Sequence, residues 1–337
     1  MIRYYNVLFM PRIRMHWPNQ LVVISLLVLT LAVHANPNEQ AKQATVAVEQ
    51  LYHDISKLPN SNISARLHYI SQYFLGKPYL LGALGEGAQG HYDQYPKYRT
   101  DAFDCETYVD TVLALALAQN SKGFEQCIDK IRYRDGQPVF TARNHFTELD
   151  WNINNQKQGL VKDITLSIHN KEKQPIAKIA SAWIDKPAWY AHFNEDKIRL
   201  ITSDNQQRAQ KLRALKAEGK QLGRRLATIP YLPLDQLFSP SGQANQSLFA
   251  QIPNGAIIEI VRPNWDLRQQ IGTCLNVSHL GFAFWEGHTL MFYQASSQYG
   301  QVVVVPLISY LADARNSPTI KGINVQIVLP KYPLAHC

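Results

Sequence analysis

The sequence predicts an α+β chain in which helices come first and an antiparallel sheet fills the C-terminal third. Three observations carry that expectation. Apolar residues recur at spacings of three and four from Asn38 to Phe74, the period of an amphipathic helix. A denser apolar run begins at Cys105 and continues to Ala118, rich enough in helix formers to be buried on most sides. Five short β-branched or aromatic runs then lie at 255–261, 279–285, 289–295, 302–306 and 323–329, separated by turn residues. Helical stretches followed by a run of strands are the pattern of an α+β fold.

Taken in order, the chain opens with Arg3, Arg12 and Arg14, an apolar stretch from Leu21 to Val33, and small residues at Val33 and Ala35. That order is a secretory leader with its cleavage site, which predicts a signal peptide over 1–35 and a mature protein from about Asn36. The apolar stretch is shorter than the roughly 20 residues of a membrane-spanning helix, so no stable membrane insertion is expected after cleavage. The mature chain, periplasmic or secreted, is expected to form one domain. Residues 36–74 make a helical extension and 75–337 the core, with an insertion around 185–250.

The formal charge of the 337-residue chain is +8, falling to about +5 without the three leader arginines. A mildly basic exported protein is drawn to anionic polymers such as a cell wall. Lysines and arginines are dense only over Lys211–Arg225, inside a charged segment, Asp204–Leu226, that reads as an exposed helix rather than a nucleic-acid surface. The glycines of 82–87 lack the preceding strand and the lysine of a phosphate loop. Four cysteines are present, Cys105, Cys127, Cys274 and Cys337. In an oxidising compartment a pair among the last three is expected, with its connectivity open. Neither CxxC nor HxxxH spacing occurs, so no metal site and no cofactor are expected.

Cys105 is the candidate nucleophile. Asp104 stands where an N-cap belongs, which puts Cys105 at the first helical position, against the positive end of the helix dipole. This placement predicts a lowered thiol pKa. Arg143, His145, Asp150 and Trp151 cluster outside any apolar periodicity and read as a site wall. His279 begins a strand, and Gln294 lies on the next strand of a hairpin turned at Glu286-Gly287-His288. A helix-borne cysteine, a later strand histidine and a polar partner for the imidazole follow the layout of a thiol hydrolase.

These segments carry a resemblance. Phe103-Asp-Cys-Glu-Thr107 resembles the Asp-Cys-Ser-Gly segment of NlpC/P60 cysteine peptidases. Ser278-His-Leu-Gly-Phe-Ala-Phe284 resembles their His-Val-Gly-Ile-Tyr strand, and Phe292-Tyr-Gln-Ala-Ser296 their Phe-Val-His-Ala-Ser strand. Leu75–Gly82, Ile131–Gly136, Arg143–Phe146 with Asp150-Trp151, and Asn276–Gly281 look more narrowly like the DUF1460 branch, described as N-acetylmuramoyl-L-alanine amidase-like. The resemblance implies a papain-like NlpC/P60 core elaborated by insertions, and an exported cysteine amidase acting on peptidoglycan fragments. It implies Cys105 as nucleophile, His279 as base, Gln294 as orienting group and Tyr79 as part of the oxyanion site. Arg143, His145 and Trp151 would contact substrate, joined by Asp104 and Ser278, which flank the two reactive residues. The implied bond joins N-acetylmuramic acid to L-alanine in anhydro-muropeptides. Cleavage between D-glutamate and diaminopimelate, or wall binding without catalysis, are the alternatives. Gln294 stands where a histidine is common, and Cys274-Leu-Asn276 where the branch tends to have Gly-Leu-Asp.

Overall fold

In the computed structural model, residues 37–58, 62–202 and 204–337 are described; the expected leader lies outside them. The three-and-four spacing resolves into two helices, α1 (Pro37–Ile55) and α2 (Ile63–Tyr73). Helix α1 buries Ala44, Val48, Leu51 and Ile55, one stripe at a spacing of four, three and four.

The Cys105 run is α3 (Cys105–Leu117), followed by α4 (Ser121–Arg132). Every residue of α3 from Thr107 to Leu117 is buried. A helix that is apolar all round needs neighbours all round, and α1, α2, α4 and the sheet supply them. Its C-terminal carbonyls lack helical partners. The Arg66 guanidinium, from α2, meets Ala116 O at 2.8 Å, Leu115 O at 3.0 Å and Ala118 O at 2.6 Å. A buried arginine thus closes the negative end of the helix.

The sheet comprises β1 (Val161–Asp163), β2 (Lys178–Asp185), β3 (Arg224–Pro233), β4 (Ala256–Leu267), β5 (Thr273–Glu286), β6 (Thr289–Ser296), β7 (Gln301–Pro306) and β8 (Gly322–Val328). Its order is β2-β3-β8-β4-β5-β6-β7, with β1 paired to β8. All these pairings are antiparallel. The five predicted C-terminal strands are present, and the β5–β6 hairpin turns at Gly287, whose φ of 60° is left-handed.

Strand β8 returns to the interior of the sheet, between β3 and β4, where Ile323, Asn324, Val325 and Gln326 are all buried. Strand β3 lies within 185–250 and pairs along the length of β2. The helix read over 204–226 is α7 (Asn205–Gly219), numbered after α5 (Asn152–Lys157) and α6 (Lys186–Ala191), and Arg224 and Arg225 already belong to β3. Of Val161–Ile179, only the two ends are strand.

One face of the sheet packs Leu280, Phe282, Phe284 and Ala295 against the helices. The other packs Ile258, Ile260, Ala283 and Phe292 against Leu307 and Leu311 of α8 (Leu307–Ala314). Cys127 on α4 is bonded to Cys337, 210 residues away, leaving Cys105 and Cys274 as thiols. Among the described residues no helix is long and apolar enough to cross a membrane.

Candidate active site

The N-terminus of α3 is fixed by Asp104. Its Oδ1 accepts from Thr107 N at 2.8 Å while Thr107 Oγ1 accepts from Asp104 N at 2.9 Å, a reciprocal capping box. Its other oxygen accepts from Gly82 N at 2.8 Å. Asp104 is buried with both oxygens committed. The expectation that it contacts substrate is therefore corrected: it is a positioning residue.

The segment before it is laid alongside by two further bonds, Phe103 N to Pro78 O at 3.0 Å and Leu80 N to Phe103 O at 2.9 Å. Tyr79 is thereby paired with Phe103, two residues from Cys105. Both Tyr79 and Cys105 pack, half-buried, on the helical side of the core.

Cys105 meets the sheet at an opening in its ladder. Strand β5 pairs with β6 only from Phe282↔Tyr293 to Glu286↔Thr289, although both strands run on. Residue alternation aims Leu280 N–H at the β6 side, and that amide is one of two that pull the Cys105 thiol pKa down. The nucleophile candidate thus sits one residue from His279. Gly281 permits this geometry, since a Cβ there would come within 2.5 Å of Tyr293 O.

His279 pairs with Ile260 across β4, at a bulge that leaves Ser278 as the extra residue. Ser278 Oγ lies 3.4 Å from Ile260 O, turned to the neighbouring strand. On the other side His279 Nε2 bonds to Gln294 Oε1. An amide oxygen only accepts, so Nε2 carries the proton and Nδ1 is the basic nitrogen. Gln294 is buried.

Electrostatics correct one expectation. The helix N-terminus alone favours a thiolate, but burial pushes the Cys105 thiol up, and the neighbouring Asp104 and Glu106 push it further. The Leu280 and Glu106 amides pull the other way and are outweighed. Burial lowers His279 to about 4, with Arg262 adding to the effect and Gln294 opposing it. Both groups are therefore neutral at rest, a thiol and an imidazole rather than a thiolate and an imidazolium.

Of the remaining expected contacts, Arg143 and His145 are only partly buried. Trp151 is fully buried, its indole N–H donating to Asp110 Oδ1 at 2.7 Å, so the expected substrate contact is corrected to a packing role. Arg143 is committed to Glu86 and, at 3.2 Å, to Asp93; its guanidinium lies 4.6 Å over the Phe140 ring. His145 packs between Phe140 and Trp189, at centroid distances of 5.2 and 4.6 Å, and burial holds it neutral.

Two residues near the site carried no signal in the sequence. Arg262 follows Ile260 on β4 and its charge reaches His279. Tyr310, on α8, feels both Arg262 and Cys105. Their elements are sequentially remote from both reactive residues, and only the sheet order gathers them.

The helices-then-sheet order, with the cysteine-bearing helix set against the central strands, defines an α+β protein. The chain belongs to the N-acetylmuramoyl-L-alanine amidase-like (AmiA-like) family, whose model matches residues 69–320. It is similar to a Legionella pneumophila (strain Philadelphia 1) protein described as DUF1460, with 53% identity and a TM-score of 0.85, over 89% of this chain and 99% of that one. An N-acetylmuramoyl-L-alanine amidase from Bacteroides uniformis shares the fold at 23% identity and a TM-score of 0.54, over 79% and 99% of the two chains. A putative xylanase from Bacteroides fragilis is similar at 26% identity and a TM-score of 0.51, over 77% and 98%. No curated protein matches.

Proposed function

We propose that this protein is an exported cysteine amidase that hydrolyses the bond between N-acetylmuramic acid and L-alanine in anhydro-muropeptides. Membership of an amidase-like family supports a peptidoglycan amidase-like hydrolase. The observation that carries the cysteine mechanism is the convergence on β5: the Leu280 amide acts on the Cys105 thiol and, one residue earlier, His279 is held by Gln294.

The chemistry follows from the resting protonation states. Nδ1 of His279 takes the thiol proton as the Cys105 sulfur attacks the amide carbonyl carbon. The tetrahedral oxyanion is met by the Cys105 backbone N–H and the Tyr79 hydroxyl. Collapse breaks the C–N bond, and His279 returns the proton to the departing L-alanine nitrogen. Water, deprotonated by His279, then attacks the thioester, releasing the muramoyl carboxylate and restoring the thiol. A neutral resting pair avoids holding two buried charges before substrate arrives.

The papain-like core of NlpC/P60 enzymes is the natural parent of this arrangement: a helix-borne cysteine against a strand histidine. The Cys127–Cys337 bond supports an oxidising compartment, and with it export.

Mass spectrometry of anhydro-muropeptides incubated with the wild type and with Cys105→Ala tests the reading. Free disaccharide and intact stem peptide, from the wild type alone, is the expected result. A cut between D-glutamate and diaminopimelate would replace the amidase with an endopeptidase.

A further inference from the structure

Arg262 is a cation in an unusual setting. Its guanidinium lies 4.4 Å over the Trp265 ring and donates to Thr319 Oγ1 at 3.1 Å. Its Nε is buried with no hydrogen-bond partner, and among the described residues no carboxylate pairs with it. Most buried or half-buried arginines here do have anionic or carbonyl partners, as Arg66, Arg99 and Arg143 show. An uncompensated guanidinium on an aromatic wall is a receptor for a planar anion.

Its position says which part of a substrate it would meet. Ile260 pairs directly with His279, and alternation along β4 returns Arg262 to that face. The Phe292 ring, on that same face, lies 6.0 Å from His279 and 5.3 Å from Tyr310. Arg262 and Tyr310 are thus gathered on the face that bears the imidazole. In the proposed reaction that imidazole returns a proton to the leaving nitrogen, so its side of the site is the leaving-group side.

We propose that Arg262, backed by Trp265 and Thr319 and neighboured by Tyr310, binds the free α-carboxylate of the γ-linked D-glutamate in the departing stem peptide. L-Alanine brings no charge once in amide linkage, and the lactyl carboxyl of the muramic acid is consumed in the scissile bond. The D-glutamate carboxylate is therefore the first anion on the leaving side. This inference rests on the amidase reading above and names the second residue that the site recognises. An enzyme so equipped distinguishes stem peptides carrying D-glutamate from those in which that carboxyl is amidated to isoglutamine.

The test compares kcat/KM for two anhydro-muropeptides differing only in that carboxyl, using the wild type, Arg262→Gln and Arg262→Lys, each checked for a native circular dichroism spectrum. The wild type is expected to favour the free acid by about tenfold or more, the size of one charge-assisted pair. Arg262→Gln should bring the ratio near one, with Arg262→Lys between. Equal rates for both substrates in the wild type, or an unchanged ratio in Arg262→Gln, overturn the inference and leave the amidase reading standing. If the wild type cuts neither substrate, the amidase reading is what has failed. Calorimetry of Cys105→Ala with L-alanyl-γ-D-glutamate and its isoglutamine counterpart then reads Arg262 without turnover. Binding that needs the carboxylate and is lost on adding Arg262→Gln supports the subsite, and no such preference overturns it.

Discussion

His279 is bonded through Nε2 to the side-chain oxygen of Gln294, a neutral acceptor that fixes the imidazole tautomer without charging it. A carboxylate in that place would favour the imidazolium, whereas here the ring is held at about 4, chiefly by burial. Gln294→Ala should lower kcat by roughly tenfold to a hundredfold, the worth of one orienting hydrogen bond. Gln294→Glu should raise the imidazole pKa, so the acid limb of the kcat/KM profile moves from near 4 toward neutral pH. A limb that stays in place would separate His279 from catalysis.

The neutral resting thiol makes a second prediction. Burial and the Asp104 and Glu106 carboxylates raise Cys105, and only the thiolate reacts with iodoacetamide. Peptide-resolved alkylation should find Cys105 slower than a free cysteine at pH 7, with its rate still climbing at pH 9. Fast alkylation at neutral pH would mean that the helix dipole prevails.

Buried carboxyls set the pH dependence of stability. Burial pushes Glu259 up to about 8 against its bond from Asn152 Nδ2 at 3.0 Å, and Glu148 up to about 7. Both titrate near 4.3 when unfolded, so the folded state holds more protons between those values and stability falls as pH rises through them. Buried His145 and His279 act oppositely only below about 6.5, their unfolded value. The Tm should therefore drop between pH 6.5 and 8.5, and Glu259→Gln should flatten the drop. Calorimetric scans at the two pH values decide it.

The Cys127–Cys337 bond ties the chain's end to α4, and Leu334 N meets Leu117 O at the end of α3 at 2.7 Å. Its removal in Cys337→Ser should cost about 2–5 kcal/mol, read by urea unfolding. An unchanged midpoint would mean that the C-terminal segment is held by packing alone.

What the sequence disclosed depended on how local the signal was. The Asp104 cap, the Cys105 helix and the β5–β6 hairpin are each written in consecutive residues, and each stands where the pattern put it. The return of β8 to the sheet interior is a long-range pairing with no local mark. Trp151 misled for a related reason. A polar or aromatic residue outside a periodic element looks exposed, yet here Asp110 satisfies the Trp151 indole inside the protein. The thiol's raised pKa was hidden because an N-cap motif shows the helix amides but not the depth of the site. Arg262 became visible only once β4 was paired with β5.

The central claim is that the Cys105 sulfur is acylated by the muramoyl group. Intact-protein mass spectrometry of acid-quenched reactions with an anhydro-muropeptide, followed by peptide mapping, tests it directly. A covalent adduct with the mass of the anhydro-disaccharide acyl group is expected, located on Cys105 and absent from Cys105→Ala. A stem-peptide acyl group on Cys105, or turnover by Cys105→Ala, would contradict it.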